Sequence, residues 1–202
     1  MSHHAKRSAG ITGVILAGGR GTRMGGVEKG LLEWQGRSLI AHLIDDLAPQ
    51  VDQLVINANR SWDQYRAFGL PVIADDPRYV GRGPMAGLHA ALTFAATDCI
   101  VSVPCDLPGL PHDLVTQLEQ AAYGQDVPLV MASTAEQLHP TVALMHASLL
   151  GRLQASLDAE ELALGRWLRA QDARRADFGA SSVLGRNFNC PSDFFDEGPQ
   201  AH

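Results

Sequence analysis

Apolar positions along this chain fall into two alternating rhythms. Short runs rich in β-branched residues, bounded by glycine, proline or polar residues, predict strands. They lie at Ile11 to Ala17, Val51 to Asn57, Pro71 to Ala74, Cys99 to Val103, Val127 to Ala132 and Thr141 to Met145, with a last one at Arg174 to Phe178. Between them the spacing widens to every third or fourth residue, which predicts helices. Ser38 to Leu47 carries Leu39, Ile40, Leu43, Ile44 and Leu47 on one stripe, with Ser38 as a candidate N-cap and Pro49 just past the end. Ser61 to Phe68 opens on a serine and closes at Gly69. Gly83 to Ala96, Pro111 to Ala122, Ala147 to Leu157 and Leu164 to Ala170 complete the set.

Repeated strand–helix alternation predicts the α/β class: a single-domain, Rossmann-like, mostly parallel sheet with helices on both faces. There is no internal repeat or linker, so residues 11–202 read as one domain and residues 1–10 as a loose N-terminal tail. In such sheets ligands bind at the carboxyl ends of the strands, so the chemistry is expected in the loops there.

Composition narrows the field. The formal charge of -6 gives no basic face for a nucleic-acid backbone, so no nucleic-acid partner is expected. No apolar run approaches the ~20 residues that span a bilayer, and the N-terminus lacks a secretory apolar stretch. A cytoplasmic protein with no membrane partner is the expectation. Cys99, Cys105 and Cys190 are odd in number and form no Cys-x-x-Cys pair, which argues against a disulfide framework or a structural zinc.

The segment Leu16-Ala17-Gly18-Gly19-Arg20-Gly21-Thr22-Arg23-Met24-Gly25-Gly26-Val27-Glu28-Lys29 follows the first strand. Its glycines allow backbone N–H groups to approach an anion closely, and Arg20, Arg23 and Lys29 add positive charge suited to phosphate oxygens. It reads as a triphosphate cradle. It is not a P-loop, because Lys29 is followed by Gly30, and not a dinucleotide fingerprint, because Met24 stands where the third glycine belongs. Asn57-Ala58-Asn59-Arg60 ends the second strand, and its amides could read a nucleobase or simply make a turn. Asp75-Asp76 ends the third and reads, on its own, as a solvated turn. Asp106, in Pro104-Cys105-Asp106-Leu107-Pro108, is a carboxylate at a strand tip, suited to Mg²⁺, which takes one or two carboxylates with phosphate oxygens and water.

Leu-Ala-Gly-Gly-x-x-x-Arg-Met-Gly-x-x-x-Lys resembles the signature of the molybdenum cofactor guanylyltransferases, whereas the related cytidylyltransferases show Leu-Ala-Ala-Gly. Glu28 replaces an Asp that is common in that family, with its charge kept. Asn57-Ala58-Asn59, Gly83-Pro84-Met85-Ala86-Gly87, His139-Pro140-Thr141-Val142-Ala143-Leu144 and Asn187-Phe188-Asn189-Cys190-Pro191 resemble further family motifs, in family order from about Ile11 to Phe194. The resemblance implies a nucleotide-diphospho-sugar transferase-like fold and transfer of GMP from GTP to a molybdopterin phosphate. It implies nucleotide contacts at Leu16, Ala17, Gly18, Gly19, Lys29, Asn57, Asp75 and Asp106. Arg23, Lys29 and Asp106 would be catalytic, Asp106 and Asn189 would hold Mg²⁺, and His139, Asn187 and Asn189 would face the acceptor. Transient contacts with cofactor-delivery proteins or apo-molybdoenzymes follow from the same resemblance.

Overall fold

The computed structural model describes residues 8–19, 28–123, 127–135, 137–180, 182–185 and 188. The strands are β1 (Ser8–Leu16), β2 (Glu33–Trp34), β3 (Arg37–Ser38), β4 (Gln53–Asn57), β5 (Val72–Ile73), β6 (Thr97–Pro104), β7 (Leu129–Thr134), β8 (Gln137–His146) and β9 (Arg174–Asp177). The α-helices are α1 (Leu39–Leu47), α2 (Trp62–Arg66), α3 (Pro84–Phe94), α4 (Leu114–Ala122), α5 (Leu150–Asp158) and α6 (Leu164–Ala170). A sheet of order β5-β4-β1-β6-β8-β7-β9 forms the centre. Only β8 pairs antiparallel with its neighbours, so the other strands of that sheet point their carboxyl ends at one edge. The expected mostly parallel α/β sheet is the one observed.

Period-two alternation splits the strands between two cores. Ile15, Ile56, Val101 and Val103 face one side, against Ile40, Leu43 and Leu47 of α1 and Leu114, Val115 and Leu118 of α4. Val14, Leu16, Val55 and Ile100 face the other, against Met85, Leu88 and Leu92 of α3, Leu153 and Leu157 of α5, and Trp167 and Leu168 of α6. Helix α1 buries one stripe, as its spacing requires, whereas α3 is buried at every position from Met85 to Leu92. That is why α3 tolerates small residues: Ala86, Gly87, Ala90 and Ala91 let it lie close against the sheet.

Several boundaries differ from the sequence reading. β1 begins at Ser8, inside the stretch read as tail, because its first residues pair with Thr97 ahead of a register shift. The helix expected from Pro111 starts at Leu114, since Pro111 opens a turn closed by the Leu114 amide on its carbonyl. Ser38 and Ser61 do occupy N-cap positions, but neither side chain makes a capping bond. A short hairpin, β2–β3, occupies a region for which the sequence pattern predicts no element. Its turn places Gln35 and Gly36 at positive φ, the geometry that two-residue hairpins require. The strand expected at Thr141 begins at Gln137, so His139 lies within β8 rather than ahead of it.

Gly87 sits where α3 crosses the end of β1 and β4. A Cβ there would collide with Asn57 Oδ1 and come within 2.9 Å of Leu16 Cδ2. Gly151, on the exposed side of α5, has nothing within 4 Å of the same position. Gly87→Ala is therefore expected to lower unfolding free energy by about 1–3 kcal/mol through overpacking. Gly151→Ala should be neutral or stabilising by up to about 1 kcal/mol. Chemical denaturation of both variants checks the contrast.

Candidate active site

Parallel pairing sets the site. Leu16 is in register with Asn57 of β4 on one side and Pro104 of β6 on the other, and Asn57 is in register with Ile73 of β5. Each of these strands then runs on into a loop. Gly18, Asn59, Asp75 and Asp106 all stand two residues past that aligned row. The chain passes from β1 outward to β4 and β5, then returns to β6 on the opposite side of β1. The carboxyl edge around β1 is thus the topological switch point, where a doubly wound sheet leaves a crevice.

One corner of this edge is built from amides and a carboxylate. Asp75 is buried, with Oδ1 accepting from Asn57 Nδ2 at 3.0 Å and Oδ2 from Asn59 Nδ2 at 2.7 Å. Asn59 Oδ1 in turn accepts the Asp75 amide at 3.0 Å. The three side chains fix one another, so the carboxylate cannot turn without breaking bonds in low dielectric. Gly18 lies on this cluster: a Cβ there would stand 3.0 Å from Asn59 Nδ2 and 3.2 Å from Asn57 Oδ1. At Gly19 the same position meets nothing within 4 Å. The Leu16-Ala17 backbone is tied into the strand ends, with the Ala17 amide donating to Asn57 and the Leu16 carbonyl accepting from Cys105. Asp76 turns away. It binds the exposed Arg78 guanidinium, whose hydrogen bonds hold its carboxyl down at about 2. Of the acidic pair, Asp75 alone belongs to the site.

The second corner carries charge. Lys29 Nζ lies 3.1 Å from Asp106 Oδ2, both side chains about one-fifth exposed, and it also donates to the Phe188 carbonyl at 3.4 Å. The Phe188 amide donates to the Asp106 carbonyl at 2.8 Å, and its ring packs on Trp34 of the β2–β3 hairpin. The chain near the C-terminus thus returns to the tip of β6. Gly30 leaves room for Tyr65 and Cys105, since a Cβ there would stand 3.2 Å from the Tyr65 hydroxyl and 3.3 Å from Cys105 Cβ, so the backbone beside Lys29 lies close to both. Tyr65 is fully buried and donates its hydroxyl to Glu28 at 3.1 Å. Burial, then the neighbouring Cys105 and Glu28, push the phenol far above its usual range, so it stays a donor. Burial, with Asp106 adjacent, pushes the Cys105 thiol up to about 12. That thiol stays protonated and offers no nucleophile.

His139 lies on the same edge, on the strand next to β6, because antiparallel β8 begins where the others end. It is buried, its Nε2 is 2.7 Å from Thr134 Oγ1, and burial lowers its pKa, so it is neutral at physiological pH. The structure brings Leu16, Ala17, Gly18, Asn57 and Asp75 into one corner and Lys29 and Asp106 into the next, with His139 further along. Arg23, Asn187 and Asn189 lie outside the described residues. Asn59 and Arg60 belong to the quoted Asn57-Ala58-Asn59-Arg60 motif without a role of their own there, and Tyr65 was not singled out from sequence. Asn59 repeats Asn57 two residues on, which is the available signal, whereas Tyr65 reads only as one more apolar helix position.

Among the described residues no three His, Cys, Asp or Glu side chains gather into a metal cluster. The donor set nonetheless fits Mg²⁺ brought in with a nucleotide, which draws one carboxylate from protein and its remaining oxygens from phosphate and water. No described helix is long and apolar enough to cross a membrane.

Residues 13–175 match the model of the MobA-like NTP transferase domain. The chain is 46% identical over 189 residues to a molybdenum cofactor guanylyltransferase of Yersinia pestis, spanning 91% of this chain and 92% of that one. Identity to the corresponding Yersinia pseudotuberculosis protein is 45% over the same spans. Its fold is that of a molybdopterin-guanine dinucleotide biosynthesis protein A from Archaeoglobus fulgidus, at TM-score 0.71 and 21% identity over 92% of this chain and 95% of that one. A nucleotidyl transferase from Methanothermobacter superposes at TM-score 0.70 with 21% identity, covering 93% and 95%. With its family domain matched over most of its length and its curated relatives nearly half identical, the chain belongs to the MobA-like nucleotidyltransferases.

Proposed function

We propose that this protein transfers GMP from GTP to the terminal phosphate of molybdenum-loaded molybdopterin, giving the guanine dinucleotide form and pyrophosphate. The carrying observation is the single edge on which the Asn57–Asn59–Asp75 corner and the Lys29–Asp106 pair stand side by side, in a chain 46% identical to proteins named for that activity. A phosphate oxygen of the cofactor attacks the α-phosphorus of GTP, and the bond from that phosphorus to the pyrophosphate oxygen breaks. The attacking phosphate is already anionic near neutral pH, its second pKa being about 6, so no strong base is needed. The barrier lies in bringing two anions together and stabilising the charge that develops.

The residues divide this work. The Asn57–Asn59–Asp75 corner holds the nucleoside, with Gly18 allowing close approach. Lys29 draws triphosphate oxygens toward β6, joined in this reading by Arg23. Asp106, with Asn189, holds Mg²⁺, which neutralises phosphate charge when bound. His139, neutral and fixed on Thr134, lines the acceptor end with Asn187 and Asn189, as a positioning contact and not a base. The cytoplasm is the matching compartment, and a protein handing over or receiving the cofactor is the matching partner.

The direct test is pyrophosphate release with molybdenum-loaded cofactor and Mg²⁺, comparing GTP, CTP, ATP and UTP. GTP is expected to exceed the others in kcat/KM by at least about tenfold. A preference for CTP moves the protein to the sister cytidylyl transfer, and no release with any nucleotide overturns the reading. Asp106→Asn and Lys29→Ala are expected to lose about 10²–10³ in turnover while the unfolding transition survives. Near-normal turnover in either removes that residue from the mechanism. Excess EDTA is expected to abolish release and added Mg²⁺ to restore it. Undiminished release in chelator contradicts the metal role.

A further inference from the structure

A single guanidinium touches both Gly19, three residues past β1, and Glu28, beside Lys29. Arg60 Nη2 donates to the Gly19 carbonyl at 3.4 Å, and Arg60 Nε forms an ion pair with Glu28 Oε1. The other Glu28 oxygen accepts from buried Tyr65. Tyr65 and Cys105, the latter next to Asp106, both close over Gly30: a Cβ there would stand 3.2 Å from the Tyr65 hydroxyl and 3.3 Å from Cys105 Cβ. The contacts thus run Gly19–Arg60–Glu28–Tyr65–Gly30–Cys105, and Lys29 hangs between Glu28 and Gly30. Ser61, immediately after Arg60, takes the left-handed backbone at φ 53, which turns the chain at once into α2. A non-glycine residue rarely adopts that conformation.

From this geometry we infer that Arg60 is a positioning residue for Lys29. Its two nitrogens hold Gly19 and Glu28 to each other, and through Glu28 they fix where Lys29 meets Asp106. The inference rests on the reading of Lys29 as a triphosphate contact. The Arg60 side chain is itself partly exposed, at 43%, which limits what the pair adds to global stability. Its effect falls on Lys29, because a contact that must be brought into place on binding costs affinity. The planar fork is what makes the bridge: a lysine keeps the charge but has one nitrogen, so it cannot hold both ends at this geometry.

The test uses the full-length protein with Arg60→Gln, Arg60→Lys, Glu28→Gln and the double variant Arg60→Gln/Glu28→Gln. Mg-GTP affinity is expected to fall about tenfold in Arg60→Gln and nearly as far in Arg60→Lys, with kcat within about twofold of wild type. The two glutamine substitutions should be non-additive, because they break one contact. In the nucleotide-free protein, the Leu31 and Leu32 amides close the turn after Glu28, bonded to the Glu28 and Lys29 carbonyls. They are expected to exchange faster in Arg60→Gln, with the β1 and β6 amides unchanged. Full rescue by Arg60→Lys, or additive losses, would mean that Arg60 acts as a charge toward phosphate and would overturn the bridge. Wild-type affinity in Arg60→Gln overturns it as well. If wild type binds no nucleotide, the reading of Lys29 as a triphosphate contact fails, and the exchange rates alone then decide whether Arg60 holds the Glu28–Lys29 turn.

Discussion

Parallel pairing of β1 with β4 and β6 is the constraint on which the rest of the molecule depends. It aligns Leu16, Asn57 and Pro104 in one row, so the loops that follow leave the sheet at the same level. Residues far apart in sequence then meet without any loop having to reach. A slip of one residue in either pairing would move Asn57 or Asp106 off that level and invert which side chains of the slipped strand face each core. The register is held from both faces: Ile15, Ile56 and Val101 commit one side, Val14, Val55 and Ile100 the other. Apolar burial on two faces is therefore what positions a polar edge.

The two corners of the edge differ in how they hold their charges. Asp75 is buried and satisfied by two asparagine amides and one hydrogen-bonded loop, a closed network that orients one carboxylate. Asp106 and Lys29 are partly open and paired with each other. A buried, amide-clamped acid suits recognition of a fixed hydrogen-bonding partner. An accessible acid–base pair suits ions that arrive and leave. The proposed division into nucleoside and phosphate ends follows from that contrast.

Much of this was legible in the sequence. Strands whose two faces are both buried read as continuous β-branched runs, so β1, β4 and β6 were visible, and each polar residue that ends one of them was a candidate. What the pattern hid has physical causes. The β2–β3 hairpin is too short to show a period, and its turn uses Gln35 rather than a familiar hairpin residue. The start of β8 was obscured by Pro140, which reads as a break but lies inside the strand. Asn59, Tyr65 and Arg60 gain their roles only when β4 is laid beside β1, since their partners Gly18, Glu28 and Asp75 come from other loops.

The most direct test of the central claim is a crystal structure of the protein with GTP and Mg²⁺. The account predicts guanine and ribose against Asn57, Asn59 and Asp75, with the triphosphate passing Lys29 and the metal on an Asp106 oxygen at about 2.1 Å. A nucleotide bound away from this edge, or a metal that leaves Asp106 untouched while GTP occupies the crevice, would contradict it.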